Sequence, residues 1–182
     1  MSSLKLINTT TVSSAANKIT VSDVFSADYN IYCIQVVGTT CASQRENNSM
    51  DMRFIGTSSG EITSNDYARE YTFMRGFSDA FYDSGSFTRD DFNVVYHDTA
   101  AQNGVGNSTM WVFNPYSNST YTMGYLVNSG RMSYPGTTQR PYFSQGVGAL
   151  KTAESITGFT FTNRNSYNIA TGTFRTYGLL RT

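Results

Sequence analysis

Apolar and polar side chains alternate along most of this chain with a period of two. Leu4 and Leu6 flank Lys5, and Ile19 and Val21 alternate with Thr20 and Ser22. Tyr32, Ile34 and Val36 share one face of the apolar run from Ile31 to Val37, and Met52 and Phe54 flank Arg53. Tyr67, Arg69, Tyr71 and Phe73 form another set, as do Phe92, Val94 and Tyr96. Trp111 and Phe113 stand opposite Met110 and Val112. Tyr121, Met123, Tyr125 and Val127 make the clearest stripe, which predicts a core or subunit-interface face. Phe159 and Phe161 follow, and Arg175, Tyr177 and Leu179 stand opposite Phe174. A period of two places successive side chains on opposite faces of a strand. Runs this short, rich in β-branched and aromatic residues, have the strand signature.

Turn-formers punctuate the runs: Ser58-Ser59-Gly60, Asp83-Ser84-Gly85, Asn103-Gly104, Asn114-Pro115, Asn128-Ser129-Gly130, Tyr134-Pro135-Gly136 and Thr171-Gly172. Each supplies a positive φ, a fixed φ or a side-chain-capped turn. The pattern predicts an all-β chain of about ten short strands, an antiparallel two-sheet sandwich that is jelly-roll-like. No linker divides it, so one domain is expected over residues 1–182. Segments 38–50, 76–90 and 128–148 predict longer loops, and such loops in a compact domain usually carry function or contacts.

Composition narrows the classes of function. Only 14% of the 182 residues are charged, 13 basic against 13 acidic, and 14% are aromatic. No basic surplus exists to neutralise phosphates, which argues against nucleic acid. No apolar run reaches the roughly 18 residues of a spanning helix, and residues 1–7 lack a signal-peptide pattern, so no membrane role is expected. Near-zero net charge gives little colloidal repulsion and suits a protein held in an assembly. Cys33 and Cys41 are too few for a disulfide framework. Cys33 reads as a small core residue, and the pattern leaves a bridge between the two open.

Catalytic chemistry finds no constellation. The single histidine, His97, ends a strand pattern, and no Gly-x-Ser-x-Gly elbow accompanies it, so a packing or surface role is expected. Carboxylates at Glu46, Asp51, Glu61, Asp66, Glu70, Asp90, Asp91 and Glu154 sit in no motif, and chance pairs arise in any sandwich with this many acids. Asp79, Asp83, Asp90 and Asp91 offer oxygen ligands for calcium but lack EF-hand spacing, so they read as solvated turn caps. Gly104-Val105-Gly106 and Gly146-Val147-Gly148 lack the strand-to-helix setting of a phosphate loop. No enzyme activity, cofactor or metal is expected.

The aromatic surplus has two readings. Trp111, Tyr116, Tyr121, Tyr125, Tyr134 and Tyr142 serve either as a sugar-stacking platform or as core and interface residues, since Tyr joins an apolar body to a polar tip.

Ser155-Ile156-Thr157-Gly158-Phe159-Thr160-Phe161 and the run from Tyr167 to Leu179 together look like a closing hairpin, and in this they resemble the family of small jelly-roll-like structural proteins of tailed bacteriophage virions, the decoration and tail-associated modules. Tyr29-Asn30-Ile31-Tyr32, Met52-Arg53-Phe54, Ser64-Asn65-Asp66-Tyr67 and Trp111-Val112-Phe113-Asn114-Pro115 are similar to its earlier strands. Gly172 and Asn168 are expected to make a tight turn, and Gly178 to admit a neighbouring backbone. Asn163-Arg164-Asn165-Ser166-Tyr167 departs from the family's usual Ser-Gly.

What the resemblance implies is a place in the virion, made in the host bacterial cytoplasm. The leading expectation is a capsid decoration or cement protein, a homotrimer bound to the major capsid protein. Its interface residues would be Tyr116, Tyr134, Tyr142, Phe143, Phe81 and Tyr82. The alternative is a tail- or fibre-associated sandwich that binds host glycans through Trp111 and Tyr142. The N-terminal strand either packs on its own domain or swaps to a neighbour.

Overall fold

The computed structural model describes residues 3–43, 48–75, 81–97, 99, 104–132, 140–164 and 166–179. Among the described residues the alternating runs become thirteen strands: β1 (Leu4–Thr11), β2 (Lys18–Val21), β3 (Ile31–Cys41), β4 (Ser49–Gly56), β5 (Gly60–Glu61), β6 (Tyr67–Arg75), β7 (Phe81–Arg89), β8 (Phe92–Tyr96), β9 (Gly106–Phe113), β10 (Thr122–Met132), β11 (Arg140–Leu150), β12 (Ile156–Asn163) and β13 (Ile169–Leu179). An eight-stranded sheet has the order β1-β13-β3-β9-β10-β11-β6-β7, and a five-stranded sheet has β2-β12-β4-β5 with β8 also on β4. Every ladder between named strands is antiparallel.

Without β5–β7 and β10–β11, eight strands remain. They pair outermost with outermost: β1 with β13, β2 with β12, β3 with β9, β4 with β8. That nesting is the jelly roll, a long hairpin folded over into two sheets. Strands β6–β7 and β10–β11 extend the larger sheet, and β5 adds to the smaller.

The inward faces of the two sheets meet in one core. Tyr32, Ile34 and Val36 of β3, Met50, Met52 and Phe54 of β4, Met110 and Val112 of β9, Phe159 and Phe161 of β12 and Phe174 of β13 are all buried there. Edge-to-face rings hold its centre, with Phe54–Phe92 centroids at 5.7 Å and Tyr67–Phe92 at 5.1 Å. Such pairs add about 0.5–1.5 kcal/mol to the area they bury. The two tyrosine hydroxyls that reach into this core are satisfied. Tyr67 Oη accepts from Phe54 N at 2.8 Å and donates to Ile62 O at 3.1 Å. Tyr32 Oη donates to Ser26 O at 2.9 Å and accepts from Ser26 N at 2.7 Å.

Several expectations change. In their described residues, segments 76–90 and 128–148 are mostly strand: β7 runs through Asp83-Ser84-Gly85, and β10 runs through Asn128-Ser129-Gly130. These polar residues pair as strands because their neighbours supply ladder partners; Asn128 Nδ2 also donates to Ser144 Oγ at 2.6 Å across the β10–β11 pair. Pro141 sits inside β11 just past Tyr142↔Arg75, the last pair made with β6, where no N–H is required. Segment 38–50 shortens to 42–48 between β3 and β4. Thr171-Gly172 is no turn: it lies in β13, at a register shift where Gly172 takes φ 149°. The closing pair β12 and β13 is no hairpin either, since the chain changes sheets between them. Gly178 admits a ring rather than a backbone, because a Cβ there would stand 2.6 Å from Tyr29.

Cys33 and Cys41 are not bridged by a disulfide. They lie at opposite ends of β3, about 26 Å apart at the usual rise per residue, which excludes a bridge. Cys33 is buried on the outward side of its strand, between Tyr177 and Trp111, and not in the core between the sheets. The N-terminal strand β1 packs in this chain's own sheet, against β13.

Candidate functional site: an apolar sheet face and a charged cleft

The outward face of the large sheet carries the stripe. Thr122, Gly124, Leu126 and Asn128 point in, so Met123, Tyr125 and Val127 point out, Tyr121 just before the strand is exposed too, and the core assignment for the stripe falls. Registered pairs extend this face across the sheet. One row runs Leu6, Tyr177, Cys33, Trp111, Tyr125, Val147, Glu70. Beside it lie Leu4 with Leu179, and Ile31, Phe113, Met123, Ala149 and Ala68 in line. The next row inward is polar: Thr9, Arg175, Gln35, Thr109, Val127, Gln145, Thr72. In these rows only Glu70 and Arg175 carry charge. Leu6 is 52% exposed, Met123 45% and Val147 52%. Seven strands at 4.8 Å spacing and four outward residues on each make a face of roughly 800 Å² in plan.

The outward face of the small sheet is its opposite. It carries Asp51 and Arg53 of β4, Lys18 of β2 and Thr162 of β12. With Asn17, Arg89, Asp90, Asp91, Asn163, Arg164 and Ser166 these line a cleft of about 540 Å³. Asp51 is only 4% exposed because partners cover it. Arg164 Nε donates to its Oδ2 at 3.1 Å, and Asn93 Nδ2 to its Oδ1 at 3.0 Å. Burial pushes the Asp51 carboxyl up to about 6, against the pull of Arg164 and with the push of Asp91. Arg53 Nη2 meets Asp90 Oδ2 at 2.5 Å, Arg69 Nη1 meets Asp91 Oδ1 at 2.5 Å, and Lys18 pairs with Glu61.

Beside the cleft His97 is buried, and burial lowers it to about 4, so it is neutral at pH 7. Its Nε2 lies 3.2 Å from Asn163 Nδ2. His97 therefore packs, as the sequence suggested, though in the interior. Among the described residues no group of three or more His, Cys, Asp or Glu could hold a metal ion. Asp83 is bonded by Thr72 Oγ1 at 2.8 Å, Asp90 and Asp91 are committed to arginines, and Asp79 lies outside the described residues.

The residues singled out from the sequence are not brought together. Tyr142 is 5% exposed, stacked on Phe73 at 5.9 Å and against Tyr96 at 4.3 Å. A ring so covered cannot serve as an interface or glycan contact, and it is withdrawn from both sets. Trp111 and Phe143 are half-buried on the apolar face. Phe81 and Tyr82 are exposed on the edge strand β7, Tyr116 is exposed in the turn after β9, and Tyr134 lies outside the described residues. Sequence reasoning missed the cleft, though a signal was present. The departure from the resembled pattern, residues 163–167, supplies Asn163, Arg164 and Ser166 to its lining. No protein-family model matches the chain, and no curated protein matches it in sequence. The likeness to phage modules therefore rests on the quoted segments alone.

Proposed function

We propose that this protein is a non-enzymatic structural subunit that joins copies of itself through the outward face of its eight-stranded sheet. The observation that carries the reading is the pair of apolar rows crossing that face from β1 to β6. The two apolar rows make up about half of that face, roughly 400 Å², and the largest apolar patch on a monomer, typically about 300–600 Å², is often functional. Stable interfaces bury about 800 Å² on each partner, which this face supplies. The near absence of charge lets this face bury against a different surface of a neighbouring copy, as a closed three-fold ring requires, with little desolvation cost, and neither copy presents a field that repels the other. A homotrimer is the expected assembly.

The finer reading is a decoration or cement protein of a tailed-phage head, where neutral trimers would sit on the major capsid protein and tie its units together. What supports it is the resemblance together with the jelly-roll topology, although a fold alone hosts many functions. Light scattering after size exclusion tests the first part: a stable trimer at micromolar concentration is expected, and a monomer at every accessible concentration rejects self-assembly. Quantitative mass spectrometry of purified virions tests the second. About one copy per capsid subunit is expected; a few copies per particle would move the protein to the tail.

A further inference from the structure

The cleft on the small sheet holds two polar atoms that nothing in the fold uses. Arg89 projects from the end of β7, and its Nε is buried without a hydrogen-bond partner. Among the described residues it has no acidic partner, whereas the cleft's other cations all have one: Arg53 with Asp90, Arg164 with Asp51, Lys18 with Glu61. Asn163 is 4% exposed; its Nδ2 faces His97 Nε2, and its Oδ1 has no donor. Leaving a buried donor or acceptor unpaired costs about 1–3 kcal/mol, so two in one cleft ask for an explanation.

We infer that this cleft binds a small hydroxylated organic acid, of the kind carried by acidic saccharides, with its oxyanion on Arg89 and a hydroxyl donated to Asn163 Oδ1. The chemistry follows from the two orphans. A guanidinium fork free of carboxylates takes an oxyanion, in two parallel bonds when the ligand is planar. An amide oxygen needs a donor, which a simple anion such as sulfate lacks and a sugar hydroxyl supplies. Thr162, Ser166 and Asn17 add further hydroxyl and amide groups around the same space. A volume of about 540 Å³ lies within the usual range of small-ligand sites. The three acids lining the cleft do not oppose this, because Asp51, Asp90 and Asp91 are each neutralised by an arginine. Carboxylate and phosphate share this chemistry. The site lies on the sheet opposite the apolar face and is independent of the assembly reading.

Two-dimensional amide NMR of the intact protein, titrated with glucuronate, glucose 6-phosphate, glucose and sulfate, tests it. Glucuronate or glucose 6-phosphate should shift the amides of Arg89, Asn163 and Ser166 together, and which binds tighter identifies the oxyanion. Glucose and sulfate alone should each bind at least tenfold more weakly, since glucose lacks the oxyanion and sulfate lacks the donor. Arg89→Gln should weaken the sugar acid at least tenfold. Asn17→Asp, a change of an exposed residue at the cleft wall that keeps the fold, should weaken it severalfold by adding a negative charge. No shift with either sugar acid, shifts that survive Arg89→Gln, or sulfate binding as tightly as the sugar acids would each overturn the inference.

Discussion

Strand β10 turns Met123, Tyr125 and Val127 toward solvent, while strand β4 turns Asp51 and Arg53 outward. Both strands obey the same alternation, and both bury their other side in the same core. The difference lies in how the outward side chains are covered. On β4 the acid is buried at 4% exposure under Arg164 and Asn93, so charge has been drawn into the fold and paired there. On β10 large apolar groups stay open although they would gain from burial. Burying a side chain of that size contributes about 1.5–3 kcal/mol. A fold that hides carboxylates and exposes Tyr125 keeps its open apolar surface on one sheet and its polar chemistry on the other.

The sharpest way to break this comparison is to charge the apolar face. Tyr125→Glu combined with Val147→Glu puts two carboxylates side by side at its centre, since the two positions are direct cross-strand partners. Self-association should weaken at least a hundredfold by analytical ultracentrifugation, because each copy must desolvate unpaired charge. Association unchanged by the pair would mean that another surface joins the copies.

The next effect is in pH dependence, and it contrasts two neighbours at the cleft. His97, lowered by burial to about 4, binds its proton less well folded than unfolded, so it stabilises the fold above pH 6.5 and loses that stability as pH falls toward 4. Asp51, raised by burial to about 6, has the opposite sign: its protonation favours the folded form as pH falls from 6 toward 3.8. The two slopes oppose one another across almost the same window. Relative to the parent, His97→Gln should gain about 2–3 kcal/mol on acidification from pH 6.5 to 4, and Asp51→Asn should lose a similar amount. Urea unfolding at the two pH values reads both, and parallel curves for the two variants would show that neither group titrates as its burial dictates.

How far all this was legible in the sequence differs between the two faces. The core was written in alternation: Tyr32/Ile34/Val36, Met52/Phe54 and Phe159/Phe161 each sit where a period of two puts them. Alternation names two faces, however, and not which is inside. For β10 the brighter stripe proved to be the outer one, because the inner side is filled by Gly124 under Met110 and by Thr122 and Asn128. The polar strands β7 and β11 were hidden because Ser, Gly and Asp are weak strand formers in isolation and pair here only through their neighbours. The cleft was illegible for a different reason. Arg89, Asp51 and Asn163 are far apart in the chain and meet only once β4, β12 and the β7–β8 corner are assembled.

A smaller effect tests the cleft's ion pairs. Arg164→Gln removes the main partner of Asp51 while keeping length and polarity. It should cost about 2 kcal/mol near pH 7, less than the loss at a fully enclosed pair because Arg164 is partly exposed. The cost should shrink below pH 5, where Asp51 takes up a proton, so denaturant curves at pH 7 and 4.5 should converge for this variant. A cost independent of pH would assign Arg164 a packing role instead.

The smallest expected change is Leu6→Lys, and it separates the apolar face as a partner surface from the face as part of the monomer's own fold. Leu6 lies on the edge strand β1, 52% exposed and registered with Tyr177. Its outer half touches water in the isolated chain, and a lysine stem can lie over Tyr177 while its ammonium stays solvated. Monomer stability by urea unfolding of dilute protein should therefore move by no more than about 0.5 kcal/mol. Association should still weaken, about tenfold, because a rim charge is only partly desolvated, whereas Tyr125 and Val147 occupy the centre, where binding energy concentrates. A ranking in which Leu6→Lys hurts association more than the central pair would move the interface to the β1 edge and make the neighbouring copy a strand-edge partner. A fall in monomer stability of 2 kcal/mol would instead show that β1 needs Leu6 to hold its place on β13, and the outward apolar row would then owe its character to the fold itself.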